Sequence, residues 1–244
     1  MVRANALDAT VAVWHWYSID QARAATLFSR RCGELERNPT APSEDEKRRG
    51  LQWSVAEAEE HKSYAVASIL ASVAFLEASL NELLGSASED NLELAGAKGG
   101  LPPDERRDLT FLMKVFGRRT SLLERIELVL ELLGREPFEA GTKPFQDARL
   151  VVQLRNELVH YRPEWRAGAG ASQEALKGIA KGLSDRSFTE NPFTSQGNPF
   201  FPDRCLGHGC AAWAWMSMLS FANAFFERVG VTPIYDDMRD QLKP

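Results

Sequence analysis

The sequence predicts an all-α fold, and three observations favour this class. Apolar residues recur at spacings of three and four positions nearly throughout the chain. No segment combines strict polar and apolar alternation, β-branched enrichment and hairpin turns, as strands of a sheet protein would. Capping motifs and Gly or Pro breaks divide the chain into helix-length segments. We therefore predict a single all-helical domain over residues 1–244.

The composition narrows the class of protein further. With 244 residues, 44% of them hydrophobic and 26% charged, the chain is long enough for a sizeable core and too apolar for disorder. The formal charge of -5 excludes a surface that is basic throughout, but it allows a local basic site. Three cysteines without a closed disulfide framework, and no apolar export segment at the N-terminus, lead us to expect a cytoplasmic protein.

Two uncharged stretches approach the length of a membrane span, and we tested each against that interpretation. They are 63–76 and 206–226, of which the second approaches the required ~20 residues. Gly207, His208 and Asn223 interrupt the second stretch, so a buried central helix is the better interpretation. We expect no membrane role for either stretch.

The first half of the chain predicts one early helix and one long central helix. The early helix spans about 9–36, and a capping box of Ser43 and Glu46 opens a second helix, interrupted near Gly50. An apolar seam then runs at alternating spacings of three and four, and Gly85 is the predicted C-cap. The seam comprises Val66, Ile69, Val73, Leu76, Leu80 and Leu83, and small Ala and Ser neighbours would admit another helix closely.

The second half predicts further helices and one long loop. A connection at 86–103 is followed by a helix at 104–116 bounded by Gly117, and by a helix that runs from the Ser121 and Glu124 capping box to Gly134. The next helix is opened by Thr142 and Pro144 and ends near Pro163. A Gly/Ala-rich turn at 167–171, a short helix at 172–183 and a loop at 184–205 then lead to a last long helix capped by Gly230. The loop contains four Phe residues, so we expect it to pack its aromatic rings onto the bundle.

The segment RNELVH, residues 155–160, is the candidate chemical site. At 100° per residue, Arg155 falls amid the apolar arc of its helix, whereas Asn156 and His160 lie one turn apart at its edge. Because an uncompensated buried guanidinium is costly, Arg155 requires a carboxylate, a partner chain or an anionic ligand. Glu77, which interrupts the apolar row of Leu70 and Leu84, is the candidate carboxylate.

These residues resemble the motif of the HEPN superfamily, whose ribonuclease members carry an Arg, a polar residue directly after it, and a His four to six positions beyond the Arg on a late bundle helix. RNELVHY matches that pattern, and YAVASILASVAFLEASLNELL resembles the earlier helix that packs against the motif helix. The resemblance covers roughly 62–85 and 144–165 closely. It implies a HEPN-like helical bundle with a core at about 44–230 and additional N-terminal and C-terminal helices.

The resemblance also implies a function and a set of roles. HEPN ribonucleases cleave RNA without a metal, through attack of the RNA 2′-hydroxyl on the adjacent phosphate. Arg155 would then hold the phosphate, Asn156 would donate to it or orient the imidazole, His160 would move protons, and Tyr161 would support the edge. Family members usually form homodimers around one cleft, so we expect a homodimer, no cofactor and no metal. A toxin or defence role, with an antitoxin or other protein partner, is a further expectation.

Other interpretations remain open at this point. Arg155 and His160 could be structural residues of the bundle, or the fold could serve as a non-catalytic nucleotide-binding, RNA-binding or protein-interaction scaffold. The CLGHGC segment invites a metal interpretation for Cys205, His208 and Cys210, but it lacks a second ligand pair. His15 and His61 look isolated. The aromatic and Met residues of 213–226 fit a core or a dimer interface better than a cofactor site.

Overall fold

The protein is all-α in a computed structural model that describes residues 15–88, 101–115, 120–162 and 178–244, and no strand occurs within these ranges. This confirms the predicted fold class. The helices are α1 (Tyr17–Arg37), α2 (Glu44–Arg48), α3 (Val55–Ala87), α4 (Pro103–Val115), α5 (Leu122–Leu132), α6 (Phe145–Val159), α7 (Gly178–Ser184) and α8 (His208–Val229), with a short helical turn at Phe200–Arg204 and a 3-10 helix at Asp236–Leu242.

The long helix α3 lies at the centre and packs against α1, α8, α4 and α6. Its predicted seam is confirmed, since Ile69, Val73, Leu76 and Leu80 are buried and both ends of the seam pack against the core. Small buried residues line the same helix, and Ser68 donates its hydroxyl to the Ala25 carbonyl of α1 at 2.8 Å. Close approach of α1 and α3 therefore follows from the small side chains.

Both predicted capping boxes are present. Ser43 opens α2 and Ser121 opens α5, and in each case the serine side chain accepts from the N3 backbone while the N3 carboxylate accepts from the serine N–H. Hydrogen bonds from the backbone N–H of Val55, the larger effect, and from that of Ser43 lower the pKa of Glu46. Hydrogen bonds from Ser121 lower the pKa of Glu124 in the same way. Both helix starts were therefore predictable from four-residue motifs.

Two predicted helix ends were wrong. Helix α3 does not stop at Gly85 but continues through it to Ala87, because Gly85 is buried within the packed bundle and the helical hydrogen bonding continues. Helix α6 ends at Val159 rather than near Pro163, because His160 leaves the helical conformation at φ -110° and ψ 32°. His160 consequently ends the helix instead of lying inside it.

The segment 184–205 packs its aromatic rings onto the bundle, as predicted. Phe201 is fully buried, and the Phe188 ring lies 5.8 Å from Trp213 of α8. Helix α8 then supplies the aromatic core, with Trp215 donating its indole N–H to the Leu242 carbonyl at 2.6 Å. Met216 is an exception to the expected core set, because its side chain is 45% exposed.

Helix α3 is long and apolar enough, by length and composition, to span a membrane, and it alone passes this test among the described residues. Over half of its most apolar window is buried inside the protein. The interior helix of a folded domain has the same apolar composition. The apolar character of α3 is therefore accounted for by its packing. The stretch 206–226 falls largely in α8, whose buried face forms much of the core.

Several predictions fall outside the described residues. These are the N-terminal part of the first helix before residue 15, most of the connection 86–103, Gly117, the turn 167–171 and the first part of the helix 172–183. The described remainder of that last helix is α7.

Helix α8 ends at Gly230, whose φ of 84° lies in the left-handed region. No heavy atom would lie within 4 Å of a Cβ there, so replacement costs backbone strain alone. We expect Gly230→Ala to lower the free energy of unfolding by about 1 kcal/mol. Chemical denaturation followed by circular dichroism measures this change. Ser220→Ala, at an exposed position inside α8, is the control and should leave stability unchanged or slightly higher.

Candidate functional site

Helix α6 carries the candidate site at its C-terminal end. Its inner face is apolar, with Ala148, Val151 and Leu154 fully buried against the bundle. These residues recur at spacings of three, so they fix the rotation of the helix about its own axis. Arg155 and Asn156 directly follow the last fully buried position. The side chains of the site therefore begin where the core ends.

Arg155 is half-buried and has no hydrogen bond or ion pair with any described residue. None of its side-chain nitrogens is a buried atom that lacks a partner, so the guanidinium reaches solvent. Its aliphatic stem covers apolar surface while the charged end stays accessible, as is usual for a long basic side chain. The cation therefore has no ion-pair partner within the part of the chain that the structure describes.

Asn156 and His160 follow Arg155 at the same helix end. Both are exposed, and the His160 backbone N–H donates to the Asn156 carbonyl at 2.8 Å, which closes the last turn of α6. The predicted spacing of one helical turn is thus present. Because His160 is the residue that ends the helix, its imidazole stands at the helix terminus, with the exposed Tyr161 directly after it.

The expected pairing of Arg155 with Glu77 is wrong. Glu77 is exposed on α3, and no ion pair joins it to Arg155. Its position between Leu70 and Leu84 suggested a buried face, but a long helix meets different neighbours along its length, and none covers Glu77. Glu77 therefore has no supporting contact with the site in this structure.

Arg186 shows what a structural arginine looks like in the same bundle. Its guanidinium lies 2.9 Å from a carboxylate oxygen of Asp147 on α6, and the two side chains are only 15% and 10% exposed. Arg155 lacks any such partner among the described residues. The interpretation of Arg155 as a salt-bridged core residue consequently has no ion pair to support it.

A stability comparison tests this difference. We expect Arg155→Ala to change the free energy of unfolding by less than about 1 kcal/mol, because no buried ion pair is lost. Arg186→Ala, the matched control, should cost about 3 kcal/mol because it leaves the Asp147 carboxylate buried with one weaker partner. Urea denaturation of both variants provides the measurement. A cost for Arg155→Ala equal to that for Arg186→Ala would show that Arg155 is structural.

Sequence reasoning missed a second polar cluster, which lies where α1, α3 and the start of α8 meet. His61 is fully buried, not isolated, and its Nε2 lies 2.8 Å from Oε1 of Glu36. The same oxygen accepts the backbone N–H of His208 at 2.7 Å. The metal interpretation of CLGHGC gains no support from His208, because Nδ1 of its ring lies 2.9 Å from the Ser29 carbonyl oxygen, outside that segment.

A cavity of about 800 Å³ opens beside this cluster. Its walls are the turn at 50–55 and the loop at 191–198, with Trp53 and Phe193 in edge contact at 5.4 Å between ring centroids. Lys62 at its margin is paired with Asp203 at 2.9 Å. No residue of α6 lines this cavity, so it is separate from the Arg155 site. Its walls come from distant parts of the sequence, which is why no local motif indicates it.

In comparisons with known proteins, no family model matches the chain, and no curated protein or solved structure shows significant similarity to it. The functional interpretation therefore depends on the geometry and chemistry of the residues themselves.

Proposed function

We propose that this chain is a metal-independent endoribonuclease of HEPN type, with Arg155, Asn156 and His160 as its catalytic residues. The observation that carries the proposal is the solvent-reaching guanidinium of Arg155, which has no ion pair with any described residue and shares one helix end with an exposed amide and an exposed imidazole. A cation and a proton-transfer group on one site are the combination that phosphodiester cleavage by general acid and base catalysis requires.

The reaction would be an internal transesterification of RNA. The 2′-hydroxyl loses its proton and its oxygen forms a bond to the adjacent phosphorus, while the bond from phosphorus to the 5′-oxygen breaks. The 5′-oxygen leaves with a proton, and the other product carries a 2′,3′-cyclic phosphate. Arg155 stabilises the charge that develops on the non-bridging oxygens. His160 serves one of the two proton transfers, and Asn156 donates to a phosphoryl oxygen or orients the imidazole.

A homodimer would complete the site. A concerted cleavage uses one group that accepts a proton and one that donates a proton, whereas each chain supplies one imidazole at α6. Two copies related by a twofold axis would place two Arg and His sets around one cleft. Val159, which is 52% exposed and lies directly before His160, provides apolar surface at the place where such a partner would pack. The dimer is thus part of the proposed mechanism.

Cleavage of single-stranded RNA in the presence of EDTA tests the activity. We expect product ends with a 2′,3′-cyclic phosphate, and no cleavage of an RNA with a single 2′-deoxy substitution at the cut site. Arg155→Ala and His160→Ala should each reduce the rate by at least about 100-fold, because each removes charge stabilisation or proton transfer. Quantified gel electrophoresis of end-labelled RNA measures the rates.

Arg149→Ala is the matched control for this test, because Arg149 is an exposed arginine of the same helix. Its rate should stay close to that of the unmodified protein. Full activity in both Arg155→Ala and His160→Ala would contradict the assignment. An absence of any RNA product, together with retained binding of RNA or of a protein, would support the non-catalytic scaffold instead.

The dimer has its own test at Val159. We expect Val159→Asp to shift the protein from dimer to monomer, because it places a charge in an apolar contact. Light scattering after size-exclusion chromatography measures the mass. Leu27→Asp is the control, since Leu27 is 50% exposed on α1 and lies away from α6 in the sequence. A monomeric unmodified protein that still cleaves RNA would rule out a shared cleft.

Slowed growth of cells that express the chain would fit a toxin or defence role. His160→Ala should abolish that effect if it depends on cleavage. A toxin of this kind would act with an antitoxin, and co-purification of a neutralising protein would identify the partner.

A further inference from the structure

The three helices α1, α3 and α8 enclose a cluster of metal-binding side chains away from α6. Cys32 and Glu36 are one turn apart on α1, and His61 faces them from α3. One donor atom from each residue lies within 4.8 Å of the donors of the other two. Cys32 and His61 are fully buried, and the Glu36 side chain is 15% exposed. The set therefore combines a thiol, a carboxylate and an imidazole in a nearly dry site.

The geometry points to a zinc site with three protein ligands, Cys32, Glu36 and His61. Zinc in proteins prefers sulfur and nitrogen ligands, with carboxylate oxygen as the third type, in a tetrahedral arrangement. At bond lengths of about 2.0–2.3 Å, neighbouring ligand atoms of a tetrahedron lie about 3.3–3.8 Å apart. His61 Nε2 and Glu36 Oε1 lie 2.8 Å apart, which is slightly closer than this spacing. Small changes in the side-chain rotamers of Cys32, Glu36 and His61 would therefore admit the ion.

Charge balance allows a divalent cation at this site. Glu36 contributes one negative charge, and Cys32 would contribute another as a thiolate on metal binding. A divalent ion with these two anions and the neutral His61 ring gives a net charge of zero, which suits a buried site. The Cys32 thiol has only a weak contact, at 3.6 Å from the His61 carbonyl.

The inference does not depend on the proposed ribonuclease activity, because its residues lie on α1 and α3. The ion would join α1 to α3, and Glu36 would extend the link to the first turn of α8 through the His208 N–H. Its role would be to stabilise the bundle. Metal-independent cleavage at α6 is compatible with a structural zinc elsewhere in the chain.

Metal analysis of the untagged full-length chain tests the inference. We expect one zinc ion per chain by mass spectrometry after purification without chelators, and a thiolate-to-cobalt charge-transfer band when cobalt replaces zinc. Cys32→Ala and His61→Asn should each reduce bound zinc at least about tenfold, and Cys32→Ala should abolish the band. Cys205→Ala, which removes another buried free cysteine outside the set, should retain both.

The outcomes separate the inference from its alternatives. Circular dichroism identifies any variant that fails to fold, and the cobalt band of the unmodified protein does not depend on a variant. A chain that binds neither zinc nor cobalt after incubation with an excess of each would overturn the inference. A cobalt band that persists in Cys32→Ala and disappears in Cys205→Ala would overturn it as well, and would move the metal to the CLGHGC segment.

Discussion

The burial of α3 is the constraint on which the rest of the fold depends. A helix of 33 residues that contacts neighbours along its length must present side chains small enough for those neighbours to approach. Ser72 and Ser79 meet this requirement at buried positions with their hydroxyls satisfied, because each donates to the carbonyl four residues earlier. The result is a rigid central helix on which α1, α6 and α8 are positioned.

Glu36 links this packing to the start of α8. Its carboxylate accepts from the first turn of α8 and also contacts His61, so one side chain joins three helices. The close contact has steric requirements. A Cβ at Gly33 would lie 3.0 Å from the His208 ring, and one at Gly207 would lie 3.0 Å from the Glu36 carboxylate oxygen. These glycines therefore serve helix approach rather than helix termination.

Local sequence patterns were enough to predict the fold class, both capping boxes and the one-turn spacing of Asn156 and His160, but not that His160 ends the helix. Each of these features depends on residues within about one or two helical turns. The cluster of Cys32, Glu36 and His61 was not predicted. His61 lies beside the other two residues through the pairing of α1 with α3, which a local pattern does not specify.

Glu77 shows that a local pattern can also suggest a buried position that the structure does not have. Its row with Leu70 and Leu84 suggested burial because the three residues recur every seven positions. In the structure Leu84 is buried, Leu70 is half-buried and Glu77 is exposed. A long helix meets different neighbours along its length, so the exposure of a side chain depends on its position along the helix axis as well as on its angle around that axis. Only the arrangement of the surrounding helices decides which of these positions is covered.

The acidic net charge restricts how RNA could reach the α6 site. With a formal charge of -5, the chain as a whole repels a polyanion. At physiological salt this repulsion is screened beyond about 8 Å, so short-range contacts must supply the attraction. One guanidinium makes few such contacts, whereas two around a twofold axis double the local positive charge without altering the rest of the surface. In the ribonuclease that we propose, the twofold arrangement would therefore serve both the proton transfers and the binding of phosphate.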